Sequence, residues 1–278
     1  MKFNYDIHIH TNLSSCANPD ATVAGYVEQA QNTGLKVLGF ADHLWDSKIP
    51  GVSKWYEPQN VEHVLQLKKE IPADGMMNGI RLLFGCETEF TCEGKLCLAE
   101  ENMDLFDFIL VPHSHTHMGV IVPRDWIADS SSHAKYLMDS FLALVNHPLS
   151  NRITSIAHPF IPGTNHLICD EVQSFIPDSY FREAFHAAKE KGIAIELNGS
   201  CFISKDEKDI PNCEYVRIYS IAKECGCKFT YGSDNHSIFS ERKLPVIEQF
   251  LTQCGIENAD FLCVEDFYRG MRKDVNLR

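Results

Sequence analysis

Seven segments of the chain share one pattern: an apolar run rich in β-branched residues, then polar residues, then a stretch with apolar positions at helical spacing. The apolar runs are Lys2 to His10, Lys36 to His43, Ile80 to Phe90, Asp107 to His115, Ile153 to Phe160, Ile193 to Ser200 and Lys228 to His236. Between them, helices are predicted over Ala21 to Thr33, Val61 to Ile71, Ala134 to Asn146, Ser179 to Lys191, Glu214 to Cys225 and Pro245 to Gln253. The first carries Val23, Tyr26, Val27 and Ala30 on one face, with Gly34 as its stop, and Gly192 and Gly226 stop two others. Strands alternating with helices of this length indicate βαβ units and a parallel sheet. Seven such units predict a closed or nearly closed α/β barrel, a distorted (β/α)7 relative of the eightfold barrel. The segment from Glu257 to Arg278 reads as a final helix with a short polar end. No Pro/Gly/Ser-rich linker interrupts the pattern, so residues 1–278 are expected to form a single domain.

The polar residues that end these runs change the picture. In Asp6-Ile7-His8-Ile9-His10 the alternation of a strand projects Asp6, His8 and His10 from one face. Each forgoes about 2 kcal/mol of apolar burial, and a metal ion is the simplest compensation. Asp42 and His43 end the second run, Glu87 and Glu89 the third, His113, His115 and His117 the fourth, His158 the fifth, Glu196 and Asn198 the sixth, and Asp234 and His236 the seventh. In a parallel barrel all strand C-termini open on one face, where active sites are built. Eight of the 13 histidines lie at these ends; His63, His133, His147, His166 and His186 do not and read as surface or packing residues.

Imidazole with carboxylate suits Zn, Fe, Mn, Ni or Co, and the excess of histidine disfavours Mg and Ca. One ion needs three or four protein ligands, so this set implies two or three ions sharing a bridging carboxylate. Paired ions about 3.5–4 Å apart generate a hydroxide near neutral pH and clamp a phosphoryl or carbonyl group, which makes hydrolysis the expected chemistry.

Composition narrows the partners. At 44% hydrophobic and 23% charged residues the chain reads as a globular protein. No apolar run approaches the ~20 residues that span a bilayer. The N-terminal residues lack a signal-peptide core, so a cytoplasmic location is expected. A net charge of −13 argues against a nucleic-acid surface, although bound cations still permit an anionic substrate. Eleven cysteines without a secretion signal read as reduced thiols, and Cys225-Gly-Cys227 lacks a second pair at zinc-finger spacing. The oligomeric state is left open.

Asp6-Ile-His8-Ile-His10-Thr11, Ala41-Asp42-His43, Gly85-Cys86-Glu87, His115, Ala157-His158-Pro159 and Gly232-Ser233-Asp234-Asn235-His236 resemble, in order and spacing, the motifs of the PHP (polymerase and histidinol phosphatase) superfamily. The resemblance runs from residue 6 to about residue 240. It implies a distorted (β/α)7 barrel with two or three divalent ions (Zn, Fe or Mn) acting on phosphate esters. By position, it implies His8, His10, Glu87 and Asp234 around a first ion. Glu87 would bridge to a second, completed by His115 and His158, and His43 and His236 would hold a third. Asp6 would orient a histidine. Where the resemblance calls for another histidine, this chain has Cys16, whose thiolate is a candidate ligand. His115 is preferred over His113 as the fourth strand's ligand, with His117 facing substrate or solvent.

The expected activity is therefore that of a metal-dependent phosphoesterase acting on a small phosphomonoester, histidinol phosphate or similar. A metal-bridging hydroxide would be the nucleophile, with Asp234, Glu87 and His236 as catalytic groups. Arg242, Lys205 and Arg124, in loops after the seventh, sixth and fourth strands, are candidates for phosphate contact. An amidase or lactonase on a similar barrel, and a non-catalytic metal-bound module that binds a ligand, remain open alternatives.

Overall fold

The computed structural model describes residues 4–163, 168–203, 205–239, 243–263 and 267. All seven expected runs form strands, and helices form between them; of the helix expected over Val61 to Ile71 only Val61–Val64 is α-helical, continuing as a 3-10 turn over Leu65–Lys69, and the expected final helix shows a 3-10 turn at Asn258–Asp260 among the described residues. The strands are β1 (Tyr5–Ile9), β2 (Val37–Phe40), β3 (His43–Leu44), β4 (Met76–Met77), β5 (Ile80–Thr88), β6 (Phe108–Pro112), β7 (Ser155–Ala157), β8 (Ala194–Asn198) and β9 (Phe229–Gly232). The helices are α1 (Val23–Thr33), α2 (Val61–Val64), α3 (Ser130–Val145), α4 (Cys169–Ser174), α5 (Asp178–Lys191), α6 (Glu214–Glu224) and α7 (Leu244–Cys254). Capping sets the bounds of α1: the Thr22 side chain accepts from the Gly25 N–H, and Gly34 closes the helix at φ 81°. Its buried face is Val23, Tyr26, Val27 and Ala30, as the spacing predicts.

The main path is parallel and runs β1-β2-β5-β6-β7-β8-β9 in order around the sheet. The second run is broken after Phe40: its continuation, β3, pairs with the far end of β5, setting His43 opposite Glu87. The short β4 adds an antiparallel hairpin to β5. Among the described residues no helix is long and apolar enough to cross a membrane.

Closure between β9 and β1 occurs at the strand C-termini. The Asp234 N–H donates to the His8 carbonyl (2.8 Å), the His10 N–H to the Asn235 carbonyl (2.9 Å), and the Ser233 N–H to Asp6 Oδ1 (2.9 Å). Gly232 makes this approach possible. A Cβ there would lie 2.2 Å from His8 Cβ and 2.4 Å from Glu196 Oε1, so any side chain would pry β9 away from β1 and β8. The result is a distorted α/β barrel that is nearly closed, its tightest seam beneath the candidate site.

Two apolar clusters form. The larger is the barrel and helix core. The smaller, of Trp45, Tyr56, Cys97 and Ile121 flanked by Ile49, Trp55, Met118 and Val120, belongs to the loops after β3, β5 and β6. It lies at the end where the site is built. The cysteines described are all free thiols, and Cys225 and Cys227 donate to the Arg182 and Phe185 carbonyls.

Candidate metal centre

The strand ends converge as the parallel topology requires. Three groups of side chains could each hold an ion: His8, His10 and Glu87; Glu87, His115 and His158; and His10, His43 and His236. Glu87, almost fully buried at the end of β5, is common to the first two. Its Oε1 lies 3.5 Å from His8 Nε2 and 3.0 Å from His158 Nε2, and its Oε2 lies 3.6 Å from His10 Nε2 and 3.0 Å from His43 Nδ1. Asp234 Oδ1 stands 3.3 Å from His10 Nε2 and 3.7 Å from His8 Nε2. Both His158 (φ 29°) and Asp234 (φ 58°) adopt left-handed backbone, an arrangement held against its own strain by the bonds around it.

The hydrogen bonds on the outer edges of the rings assign their tautomers. His8 Nδ1 lies 2.7 Å from Glu196 Oε1 and His115 Nδ1 lies 2.7 Å from Glu89 Oε1; facing carboxylates, both nitrogens carry the proton. Ser14 Oγ gives its hydrogen to Asp42 (2.6 Å), so it accepts from His10 Nδ1 (3.2 Å). Ser114 Oγ donates to the His158 carbonyl (3.0 Å), so it accepts from His158 Nδ1 (2.8 Å). His236 Nδ1 donates to the Asp234 carbonyl (2.9 Å). Each of these five rings therefore turns its Nε2 inward, the usual arrangement of metal-binding histidine. His43 is reversed: its buried Nδ1 points inward, 3.0 Å from Glu87 Oε2.

This donor set fits divalent cations. His8 Nε2 and His10 Nε2 face one another at 3.1 Å, so two lone pairs would oppose each other unless a cation or a proton stands between them. Charge is distributed accordingly in the metal-free protein. Burial opposes charge on His8, but Glu196, Glu87 and Asp234 outweigh it and hold its pKa well above the usual value. Burial, with His236 and His43 alongside, holds His10 well below it. Glu87 and Asp234 stay well below the ordinary carboxylate range despite burial, because His8 and its neighbouring histidines surround them.

Cys16 joins the outer edge. Burial would raise its pKa, but hydrogen bonds with His236 and His43 bring it down to about 6. The remaining candidates diverge. β6 ends at Pro112, and His113 beyond it turns into the core between Phe141 and Phe160, where its Nε2 accepts from the Phe160 N–H (3.0 Å). Burial pushes its pKa down to about 3. His115 alone of the three reaches Glu87, and His117 is exposed with its ring 5.3 Å from that of His115. Arg124 donates to the His117 and Thr116 carbonyls and so braces this loop. Lys205 lies 3.5 Å from Asp170. Arg242 falls outside the described residues, as do His166 and most of the segment after Leu262.

Asp6, expected to orient a histidine ring, turns its Oδ1 to the Ser233 and His8 N–H groups of the barrel seam. Behind the His8 ring the orienting carboxylate is Glu196. Its Oε1 takes the His8 ring, and its Oε2 accepts from the His158 N–H (2.8 Å) and from Asn198 (2.9 Å). Asp42, a metal-capable strand end, accepts from Thr11 and Ser14 and ties the first loop down. The inward register of Glu87 with Glu89, and of Glu196 with Asn198, was the available signal for the orienting carboxylates; Ser14, Ser114 and Tyr56 had none.

Over 253 residues the chain is 25% identical to a probable phosphatase of Clostridium novyi, covering 90% of this chain and 86% of that one. Over 281 residues it is 26% identical to a probable phosphatase of Thermoanaerobacter sp., covering 99% and 98%. Its fold is similar to that of a solved histidinol phosphate phosphatase from Lactococcus lactis, complexed with zinc, L-histidinol and phosphate. The TM-score is 0.64 at 19% identity, covering 91% of this chain and 94% of that one. The model of the PHP domain matches residues 6–200, more than half of the sequence, and the chain belongs to that family.

Proposed function

We propose that this protein is a metal-dependent phosphatase that hydrolyses small phosphomonoesters with two or three divalent ions, zinc, iron or manganese. The observation that carries the reading is the opposed pair of His8 and His10 Nε2 atoms at 3.1 Å beside Glu87, a donor arrangement that a cation relieves. His8, His10, Glu87 and Asp234 would hold one ion, Glu87, His115 and His158 a second, and His43, His236 and Cys16 a third. Such ions, when bound, acidify water and withdraw charge from phosphoryl oxygens.

The protein's own groups would supply the rest. Asp234, whose Oδ1 lies 3.3 Å from His10 Nε2 and 3.7 Å from His8 Nε2, is the proposed group to take the proton of the attacking water and return it to the departing alcohol. His236 holds Asp234 through its backbone carbonyl, and Glu196 and Glu89 keep the His8 and His115 rings from rotating. Arg242, Lys205 and Arg124 are the proposed phosphate contacts, and a small phosphorylated molecule the proposed partner.

The test is turnover of p-nitrophenyl phosphate and of histidinol phosphate by protein of measured metal content, with and without chelator. Histidinol phosphate and zinc belong in it because of the Lactococcus lactis neighbour. Turnover that chelator abolishes and metal restores is expected. Absence of chelator-sensitive turnover across a panel of phosphomonoesters would overturn the reading.

A further inference from the structure

Resting on that reading, we infer that the substrate's organic group carries an apolar part about the size of a phenyl ring and is selected by packing on Trp55. The observation is the smaller apolar cluster. It is separate from the barrel core, and it ends in side chains that remain only partly buried: Ile49, Trp55, Met118 and Val120. Apolar surface of this kind, left at the mouth of a polar site, is what a ligand's apolar part covers.

Trp55 sets the distance. Its ring meets that of His43 edge-on, with centroids 5.4 Å apart, and meets Tyr56 at 4.6 Å. A phosphoryl group at the histidine cluster would therefore have its ester oxygen within a few bonds of the indole. Tyr56 is fixed in turn by its hydroxyl on Glu89, the carboxylate that orients His115. The same loop thus shapes both the metal cluster and the apolar wall.

The wall is also rigid. Gln59, 1% exposed, accepts from the Ser15 N–H (2.8 Å) and donates to the Trp55 carbonyl (2.9 Å), while the Trp45 N–H donates to the Gln59 carbonyl (2.9 Å). A surface ordered before binding loses little further freedom when the ligand arrives. Further exposed apolar side chains stand in loops after strands at this end of the barrel: Val52 after β3, Ile203 after β8 and Phe239 after β9, the last 82% exposed.

Calorimetry on the metal-loaded protein with 3-phenylpropylphosphonate and propylphosphonate, which cannot be hydrolysed, reads the preference directly. The phenyl compound is expected to bind about 10-fold more tightly, as burial of a ring predicts. W55A should lose most of that ratio and W55F keep most of it, with metal content unchanged in both as a check on folding. Turnover of 3-phenylpropyl phosphate against propyl phosphate, whose leaving alcohols are matched in acidity, should show the same preference, mainly in KM. Equal affinity for the two phosphonates, or a ratio that survives W55A, would overturn the inference. Discrimination lost in W55A with neither ester hydrolysed would support the apolar subsite and overturn the phosphatase reading.

Discussion

On one side of Glu87, His8 and His115 give their Nδ1 hydrogens to Glu196 and Glu89, two fully buried carboxylates. On the other side, His236 gives its own to a backbone carbonyl and His43 meets the site with the opposite nitrogen, near a surface thiol. The His8 side chain is 0% exposed and that of His236 is 33% exposed. A carboxylate behind an imidazole fixes its rotation and raises its basicity, whereas a carbonyl fixes rotation with less charge. The difference suggests a division of labour: an inner half built to retain ions and an outer half, with Cys16, able to exchange one.

The strongest attempt to break this comparison is Glu87→Ala. Glu87 belongs to both inner groups, so this change should remove the inner ions and lower kcat by ~10³-fold or more. Metal analysis with a p-nitrophenyl phosphate assay measures both, and normal metal content would end the inner-half assignment. Next in size, Glu196→Gln and Glu89→Gln should each weaken inner-ion affinity by ~10–100-fold, the usual cost of losing an orienting partner. Competition with a fluorescent chelator reads it, and an equal loss from the outer half would contradict the comparison.

Cys16→Ser and His236→Ala should deplete only the most readily exchanged ion, visible as loss of the fastest phase in chelator-driven metal release. Loss of the slow phase instead would reverse the two halves. Smaller still is His113→Phe, which leaves the Phe160 N–H without its acceptor and should cost about 1–3 kcal/mol of stability in a urea titration with metal content unchanged.

The metal-free protein sharpens the electrostatic side. His8, His43, His115 and His236 bind protons more tightly folded than unfolded, because Glu87, Glu196, Glu89, Asp234 and Cys16 outweigh the effect of burial. Their contribution is complete below the ordinary histidine value of about 6.5 and is lost as pH rises through the raised folded values. Cys16, lowered to about 6, opposes this with one group. Burial lowers His10, His113, His117, His133 and His147, so these remove stability as pH falls below about 6.5. Glu87 and Asp234 withdraw theirs lower still, as pH falls through their depressed folded values. Melting temperatures of chelator-stripped protein should therefore peak near pH 6.5, and added metal should move the optimum upward. A stripped protein that grows steadily more stable to pH 8.5 would show that the carboxylates do not hold these histidines charged.

Much of this could be read before the fold was known. Alternating Asp6, His8 and His10 on one run, and the same kind of residue ending six others, is a local signal, because strand periodicity and turn chemistry act over a few neighbours. So is Pro112, which ends β6 and so separates His113 from His115. The barrel order also followed, since each βαβ unit carries its own handedness and spacing.

What the chain's own pattern could not contain is which polar residue stands behind which ring. Asp6 and Glu196 are alike in sequence terms, each inward-facing on a strand. One secures the seam through the Ser233 N–H, and the other orients His8 from 188 residues away. That choice depends on the approach of β9 to β1 and β8, which Gly232 permits. Composition and periodicity determined that a ring of histidines and carboxylates would gather at one end of a barrel. Only the closed tertiary structure decided their tautomers, the buried and exposed halves of the cluster, and the aromatic wall at Trp55, because each is set by contacts between segments that the sequence keeps far apart.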